Sequence, residues 1–378
     1  MIYLDNAATT CPKPPQVIRA VNEAVVKYCA NPGRGSYPAA DESGTAVFDV
    51  RSKAAGFFGI ASPENIIFTA GCTASINYAL KGCLRPGDHV IISALEHNAV
   101  VRPLYSLEQQ GVEVTRVHSF LRSDEAIINN FRRAMRKNTK MIFCTHASNV
   151  FGVSLPVERI GELCRRNGLI FGVDAAQTAG VLPLSMKSTG ADLICAPAHK
   201  GLYGIMGLGI LVLSGRYIPE SIIEGGTGSL SAHREQPRDL PDRLESGTLN
   251  VPGICALGAG LDAVNSAGRE NIYRHELELM RYLYSELARM EHVRLYTPKP
   301  EYGCCAPLLS FNVGDMQSSD TGDRLGRAGI AVRAGYHCAY DAHMAAGTAD
   351  RGTVRVCPSM FTAHSDIDAL LREVYAMR

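Results

Sequence analysis

The sequence predicts an α/β protein, with a large unit on a mainly parallel seven-stranded sheet and a smaller α+β unit toward the C-terminal end. Three observations carry this. From residue 65 to 213, seven short and nearly all-apolar runs alternate with amphipathic segments, the pattern of strands buried on both faces by helices. At 378 residues the chain is too long for one ordinary core, so two domains are expected. Several apolar runs end in a residue that can do chemistry, and open α/β sheets bind ligands at the carboxyl ends of their strands.

Taken in order, Tyr3–Thr10 is a short extended piece with turn-forming ends. Pro12, Pro14 and Pro15 lead into a helix whose Val17, Val21, Ala24 and Tyr28 share one face, and Asn31-Pro32-Gly33 ends it. Arg34–Tyr37 is a loop, followed by a helix to about Phe58. The seven strands are Asn65–Thr69, His89–Ser93, Val112–Val117, Met141–Thr145, Leu169–Val173, Leu193–Ala196 and Gly209–Leu213. Helices lie between most of them, among them Thr73–Cys83, Asp124–Arg136 and Val157–Arg166. Glu220–Arg243, rich in Gly, Ser, Arg and Pro, reads as a long loop, and loops of that length are usually functional. Leu257–Met290 is helical with a break at Ala267-Gly268. Strands Leu308–Asn312, Ala331–Arg333 and Val354–Cys357 and helices Asp320–Ala328 and Asp366–Tyr375 complete the smaller unit. The expected division is 13–252 for the large domain, and 1–12 with 253–378 for the small one.

Composition excludes some classes of function. A net charge of +1 with no basic run gives no footprint for nucleic acid. The longest apolar run, Ile205–Leu213, is glycine-broken and far short of the ~20 residues of a membrane span. Met1–Asp5 lacks the charged and apolar regions of a secretory signal. The twelve cysteines are scattered, mostly in apolar runs where a thiol packs as a small hydrophobe. A reducing, cytoplasmic setting is therefore expected.

The chemistry centres on Ala196-Pro197-Ala198-His199-Lys200-Gly201. A lysine at a strand end usually points to water, but a desolvated one loses its proton more easily, and a neutral amine is what Schiff-base chemistry needs. The preceding strand runs into Asp174 and then Gln177. An Asp on one strand end and a Lys on the next, with a His beside it, suits pyridoxal 5′-phosphate (PLP): the acid pairs with the pyridinium nitrogen and the lysine carries the aldehyde. Thr69–Ser75 joins a strand to a helix whose free N–H groups suit a phosphate, with Gly71 allowing close approach. Thr73 is equally an ordinary helix cap. His97, after another strand end, can lie on a cofactor ring or relay protons, although a lone His is more often structural. Asn149 offers an amide to a phenolate or a carboxylate, or simply makes a turn.

A second centre is Arg333-Ala334-Gly335-Tyr336-His337-Cys338-Ala339. A thiol on a loop near Arg333 and His337 can be held partly as the nucleophilic thiolate. His337, Cys338 and His343 lie close in sequence, but no CxxC pair accompanies them and no metal site is expected. Arg355, between apolar neighbours on a strand, has the fork that grips a carboxylate.

With these residues in place the chain resembles the NifS/SufS-type cysteine desulfurases, in the class V aminotransferase branch of the fold-type I PLP enzymes. The resemblance runs from Leu4-Asp5-Asn6-Ala7-Ala8-Thr9-Thr10 through Val173–Gln177 and His199-Lys200 to Gly335–Ala339 and Gly352–Arg355. The short segment around Cys338 is similar to the SufS-like group. The resemblance implies that Lys200 carries PLP, that His97 stacks on its ring, that Asp174 protonates the ring nitrogen and that Gln177 bonds the phenolic oxygen. It implies that Gly71, Cys72, Thr73 and His199 hold the phosphate, with Thr248 reaching in from the second subunit of a homodimer. Asn149 and Arg355, near Arg333, would fix the substrate carboxylate, with Asn149 also beside the cofactor. Cys338 would take sulfur from L-cysteine as a persulfide, release L-alanine, and pass the sulfur to an acceptor protein. The alternatives are a selenocysteine lyase acting on L-selenocysteine, another class V reaction without a persulfide, or a non-catalytic scaffold in sulfur trafficking. Two positions depart from the family pattern. Pro197 stands where a serine is usual, and Cys72 where a threonine is usual; both changes remove phosphate donors.

Overall fold

Runs such as His89–Ser93 and Gly209–Leu213 are buried at every position, so they can only sit in a sheet covered on both sides. The computed structural model describes residues 1–33 and 35–377; Arg34, the first residue of the expected loop, lies outside the described residues. In chain order the first elements are β1 (Ile2–Tyr3), α1 (Pro15–Lys27), α2 (Pro38–Phe58), β2 (Ile66–Thr69), α3 (Cys72–Cys83), β3 (His89–Ser93), α4 (Asn98–Glu108) and β4 (Glu113–Val117). There follow α5 (Asp124–Ala134), β5 (Thr139–Thr145), α6 (Val157–Arg166), β6 (Ile170–Asp174), α7 (Met186–Thr189), β7 (Leu193–Pro197) and β8 (Gly209–Leu213). The C-terminal part holds α8 (Val251–Ala267), α9 (Arg269–Leu287), β9 (Val293–Leu295), β10 (Leu309–Val313), α10 (Ser318–Arg327), β11 (Ile330–Ala331), β12 (Arg333–Gly335), α11 (Tyr340–Ala346), β13 (Thr353–Val356) and α12 (His364–Tyr375).

The large sheet has seven strands in the order β2-β8-β7-β6-β5-β3-β4. It is parallel except for β8, which runs antiparallel to both β2 and β7. After β3 the chain moves outward to β4 and then returns to the other side of β3 as β5. The order therefore reverses between β3 and β5, the kind of crevice in which open sheets bind ligands. Register brings the site residues level, since Thr145 pairs with Asp174 and Asp174 with Cys195. One apolar core lies on each face of this sheet, with Phe151, Phe171 and Leu257 in one and Leu80, Ile92 and Phe143 in the other.

A second, four-stranded antiparallel sheet, β12-β13-β10-β9, has its own core of Leu283, Phe311, Val354 and Leu370. Leu4 joins that core from the other end of the chain. The N-terminal segment then crosses to the large sheet: Cys357 N–H donates to Leu4 O at 2.8 Å, and Thr10 N–H donates to His199 O at 3.1 Å. Among the described residues no helix is long and apolar enough to cross a membrane.

Four elements differ from the sequence reading. The helix expected from Leu257 starts at Val251, because Asn250 Oδ1 accepts the Gly253 N–H at 3.0 Å and Pro252 suits a first turn. The break expected at Ala267-Gly268 is there, with Gly268 at a φ of 80°. The single strand expected at Ala331–Arg333 is two pieces, β11 pairing with β1 and β12 with β13. Two elements were not anticipated: the three-residue edge strand β9 and the helix α11 just after Cys338.

Candidate active site

Turns after β2, β3, β5, β6 and β7 enclose a cavity of about 610 Å³. Gly71, Cys72, Thr73, His97, Asn149, Asp174, Gln177, His199, Lys200 and Arg333 all line it, so ten of the residues singled out in the sequence converge. Cys338, Arg355 and Thr248 are not among its walls. The α3 N-terminus is set by close packing. A Cβ on Gly209 would lie 2.3 Å from the Gly71 carbonyl carbon and 2.6 Å from Cys72 N, so only glycine lets β8 pass beneath that turn. Gly71 itself has a φ of 153° and open space where a side chain would project. Pro197 also lines the cavity, and in register it pairs with Gly209.

Burial controls the charges here. Lys200 Nζ has no hydrogen-bond or ion-pair partner among the described residues. Burial first, and then Arg355, pushes its pKa below the usual lysine range, while Asp174 opposes the shift. Burial raises the Asp174 carboxyl, against the Ala176 N–H, which donates to Oδ1 at 2.9 Å, and the nearby Lys200. Cys72 Sγ lies 3.8 Å from the same oxygen, and burial holds its thiol well above the usual value, in the protonated form. His97 is pushed down to about 4 by burial and then by Lys200 and Arg333. Its Nδ1 accepts the Ala99 N–H at 3.0 Å, so the neutral ring carries its proton on Nε2. His199 is likewise lowered to about 4 by burial, and its buried Nδ1 has no partner among the described residues. Gln177 Nε2 donates to Ala7 O at 3.1 Å.

Beside the cavity lies the turn that carries the exposed Cys338. Arg333 Nη2 is 3.3 Å from its Sγ. His337, by contrast, is buried, and its Nε2 contacts Thr353 O at 3.0 Å rather than the thiol. His343 Nδ1 bonds Thr348 Oγ1 at 2.7 Å. Among the described residues no three His, Cys, Asp or Glu side chains converge in a way that would hold a metal. Arg355 is 1% exposed, and both of its Nη groups are engaged: Nη1 donates to Asn149 O at 2.8 Å and Nη2 to Asp5 Oδ1 at 2.7 Å. Among the described residues only its buried Nε is without a partner. Asn149 Nδ2 donates to His337 O at 2.7 Å. Thr248 is exposed, in the segment between β8 and α8.

Three residues that border the site were not singled out in the sequence. Asp5 pairs with Arg355. Lys13 Nζ donates to His199 O at 2.7 Å, and burial lowers its pKa to about 8. Glu96 is fully buried; its Oε1 accepts the Ser93 hydroxyl and, at 3.0 Å, the Thr145 N–H, while Oε2 has no partner. For Glu96 a signal existed, a carboxylate beside His97 inside an apolar turn. Asp5 and Lys13 gave none, because Arg355 and the His199 carbonyl that they meet lie 350 and 186 residues away along the chain.

Known proteins resemble this chain over nearly its whole length. Residues 2–370 match the family model described as aminotransferase class-V. A probable cysteine desulfurase of Methanothermobacter thermautotrophicus is 33% identical over 100% of this chain and 95% of its own. A cysteine desulfurase of Pectobacterium atrosepticum is 31% identical over 98% of this chain and 91% of its own. The apo structure of a cysteine desulfurase from Thermococcus onnurineus NA1 superposes with a TM-score of 0.91 at 28% identity, covering 99% of this chain and 94% of that one. With a family match over nearly its whole length and these relatives beside it, the chain belongs to the class-V aminotransferase family.

Proposed function

We propose that the protein is a PLP-dependent cysteine desulfurase that moves the sulfur of L-cysteine onto Cys338 and releases L-alanine. The observation that carries this is the unpartnered Lys200 amine facing Asp174 across one cavity, with a thiol on a turn at its side. The residues fit the cofactor. The cavity of about 610 Å³ suits a ligand of that size, the buried His199 Nδ1 lacks a partner, and the α3 N-terminus opens beside Gly71. When bound, PLP supplies an aldehyde for amines and a protonated ring that draws electrons from a substrate's α-carbon.

The chain's own groups then divide the work. Lys200, its amine favoured in the neutral form by burial, would carry the cofactor and move a proton at Nζ. Asp174 would hold the cofactor's ring nitrogen in its protonated form. His97, neutral at working pH, would support the ring and present Nε2–H. Gln177 would bond the phenolic oxygen, and Gly71, Cys72, Thr73 and His199 would hold the phosphate. The Cys338 thiolate, with Arg333 beside it, would attack the substrate sulfur, forming an S–S bond as the substrate's Cβ–S bond breaks and its electron pair stays with the carbon that is protonated to the methyl group of alanine; attack on sulfur needs nucleophilicity as well as ionisation. Of the expected carboxylate clamps, Arg333 lines the cavity, whereas Arg355 has only Nε uncommitted.

The enzyme works as a homodimer in which the exposed Thr248 completes the partner's phosphate site, and a thiol-bearing acceptor protein takes the sulfur from the exposed Cys338. Twelve free cysteines fit the reducing cytosol.

The test is single-turnover trapping with PLP-loaded protein and ³⁵S-labelled L-cysteine. Label should appear on Cys338 in step with alanine release. The Cys338→Ala variant should bind PLP as the parent does but retain no label and lose at least about tenfold in alanine release, the size of effect a lost nucleophile produces. Alanine release by Cys338→Ala at the parental rate would remove this thiol from the reaction. Running L-selenocysteine alongside gives the preference between the two substrates.

A further inference from the structure

The turn that carries Cys338 has a backbone that does not hold itself. His337 (φ 51°) and Cys338 (φ 59°) are consecutive non-glycine residues in the left-handed region, which such residues visit singly rather than in pairs. A conformation of this kind persists only where its surroundings over-determine it. Four hydrogen bonds do so. Within the turn, Ala339 N–H donates to Tyr336 O at 2.9 Å. From below, His337 Nε2 contacts Thr353 O at 3.0 Å. From the large sheet come two more, both at 2.7 Å: Asn98 N–H to Cys338 O, and Asn149 Nδ2 to His337 O.

Asn149 differs from the other anchors. It is a side chain in the wall of the cavity, and it reaches out of that wall to the carbonyl just before the nucleophile. It is also fixed at its own backbone, since Arg355 donates to Asn149 O and is itself held by Asp5. We propose that Asn149 is a positioning residue for Cys338. Its amide N–H holds the His337 carbonyl and so sets the direction in which the thiol meets the substrate. The consequence for sulfur transfer rests on the desulfurase reading above; the anchor itself does not.

Hydrogen exchange and alkylation on the full-length protein test this, both cofactor-free and loaded with PLP. Asn149→Asp keeps the shape and removes the donor, and Asn149→Ser is the second variant should the carboxylate prevent folding. Peptides holding the Asn98 and Ala339 amides should exchange about tenfold faster in the variants, with or without PLP, as expected for one lost hydrogen bond. The rate at which iodoacetamide alkylates Cys338 should shift with them. Sulfur release from cysteine should fall in the same variants, because the lost contact is one to the carbonyl just before the nucleophile. Unchanged exchange and alkylation overturn the proposal. So does a loss of PLP affinity in step with activity while those amides stay protected, which would make Asn149 a cofactor ligand. If the protein does not desulfurate cysteine at all, the exchange and alkylation rates still decide whether the anchor exists.

Discussion

A buried ionisable group must be paired, neutralised or used, and this site shows all three. Arg355 is paired with Asp5, Lys200 is the group we propose to be used, and Glu96 is neutralised. Burial raises the Glu96 carboxyl to about 8 from its ordinary value of 4.5, against the hydrogen bonds from Ser93 and Thr145. Between those two pH values the folded protein keeps a proton that the unfolded chain releases. The contribution of Glu96 is therefore fully present below about pH 4.5 and is lost as pH rises toward 8. Glu276, raised by burial to about 8, acts in the same sense. Glu96→Gln should flatten the fall of thermal stability between pH 5 and pH 8 by up to ~1.4 kcal/mol per pH unit, one proton's worth. Parallel slopes for parent and variant would mean that the carboxyl is already ionised when folded. Legibility at this scale follows the same physics. Asp174 and Lys200 stand out in the sequence because a charge at the end of an apolar run has no local partner. Asp5 and Lys13 do not stand out, because each looks solvated until the fold brings up Arg355 or the His199 carbonyl.

At the scale of elements, the strands and helices of the large unit could be read because most strands, the edge strand β4 excepted, are largely apolar and the helices carry an apolar stripe. The direction of β8 could not. A reversed strand buried on both faces looks like a parallel one, since no alternation marks it. The edge strand β9 is three residues long and only partly buried, too short to show a period. The helix α11 did carry a signal, the helix-forming run Tyr340–Ala346 closed by Gly347 at a φ of 68°, but the chemistry of the neighbouring loop drew the reading away from it. β8 bears directly on function, because its first residue supports the α3 N-terminus. Gly209→Ala places a methyl group 2.3–2.6 Å from the Gly71–Cys72 peptide, and backbone there must move. Such overpacking costs ~1–3 kcal/mol. We expect PLP affinity to fall about tenfold or more as the helix terminus shifts, with the protein still folded. Equilibrium dialysis of PLP measures the first and circular dichroism the second. Unchanged affinity would separate the phosphate site from that turn.

At the scale of the molecule, three main cores and one strap organise the chain. We propose a large body of residues 13–252 and a small one of 1–12 with 253–378, and α8 ties the small body to the large one by packing Ile254, Leu257 and Leu261 into the core of the large sheet. The N-terminal segment binds the two bodies: Leu4 sits in the small core, Asp5 holds Arg355, and Thr10 and Lys13 hold the carbonyl before Lys200. One chain still leaves Thr248 exposed and outside its own cavity. If Thr248 serves the partner's site, two defective proteins must repair each other. In Lys200→Ala the lysine is lost but Thr248 is intact. In Thr248→Asp the lysine is intact, but a carboxylate faces the phosphate of the neighbouring site, and like charges there oppose cofactor binding. A dimer with one subunit of each kind then contains one site with both defects and one with neither. Co-expressed with two different tags and purified for both, it should show about half the parental activity per dimer, while each variant alone stays at least tenfold below the parent, as loss of a Schiff-base lysine implies. A mixed dimer no more active than its two parents would place Thr248 in service to its own chain, because every site would then carry one defect.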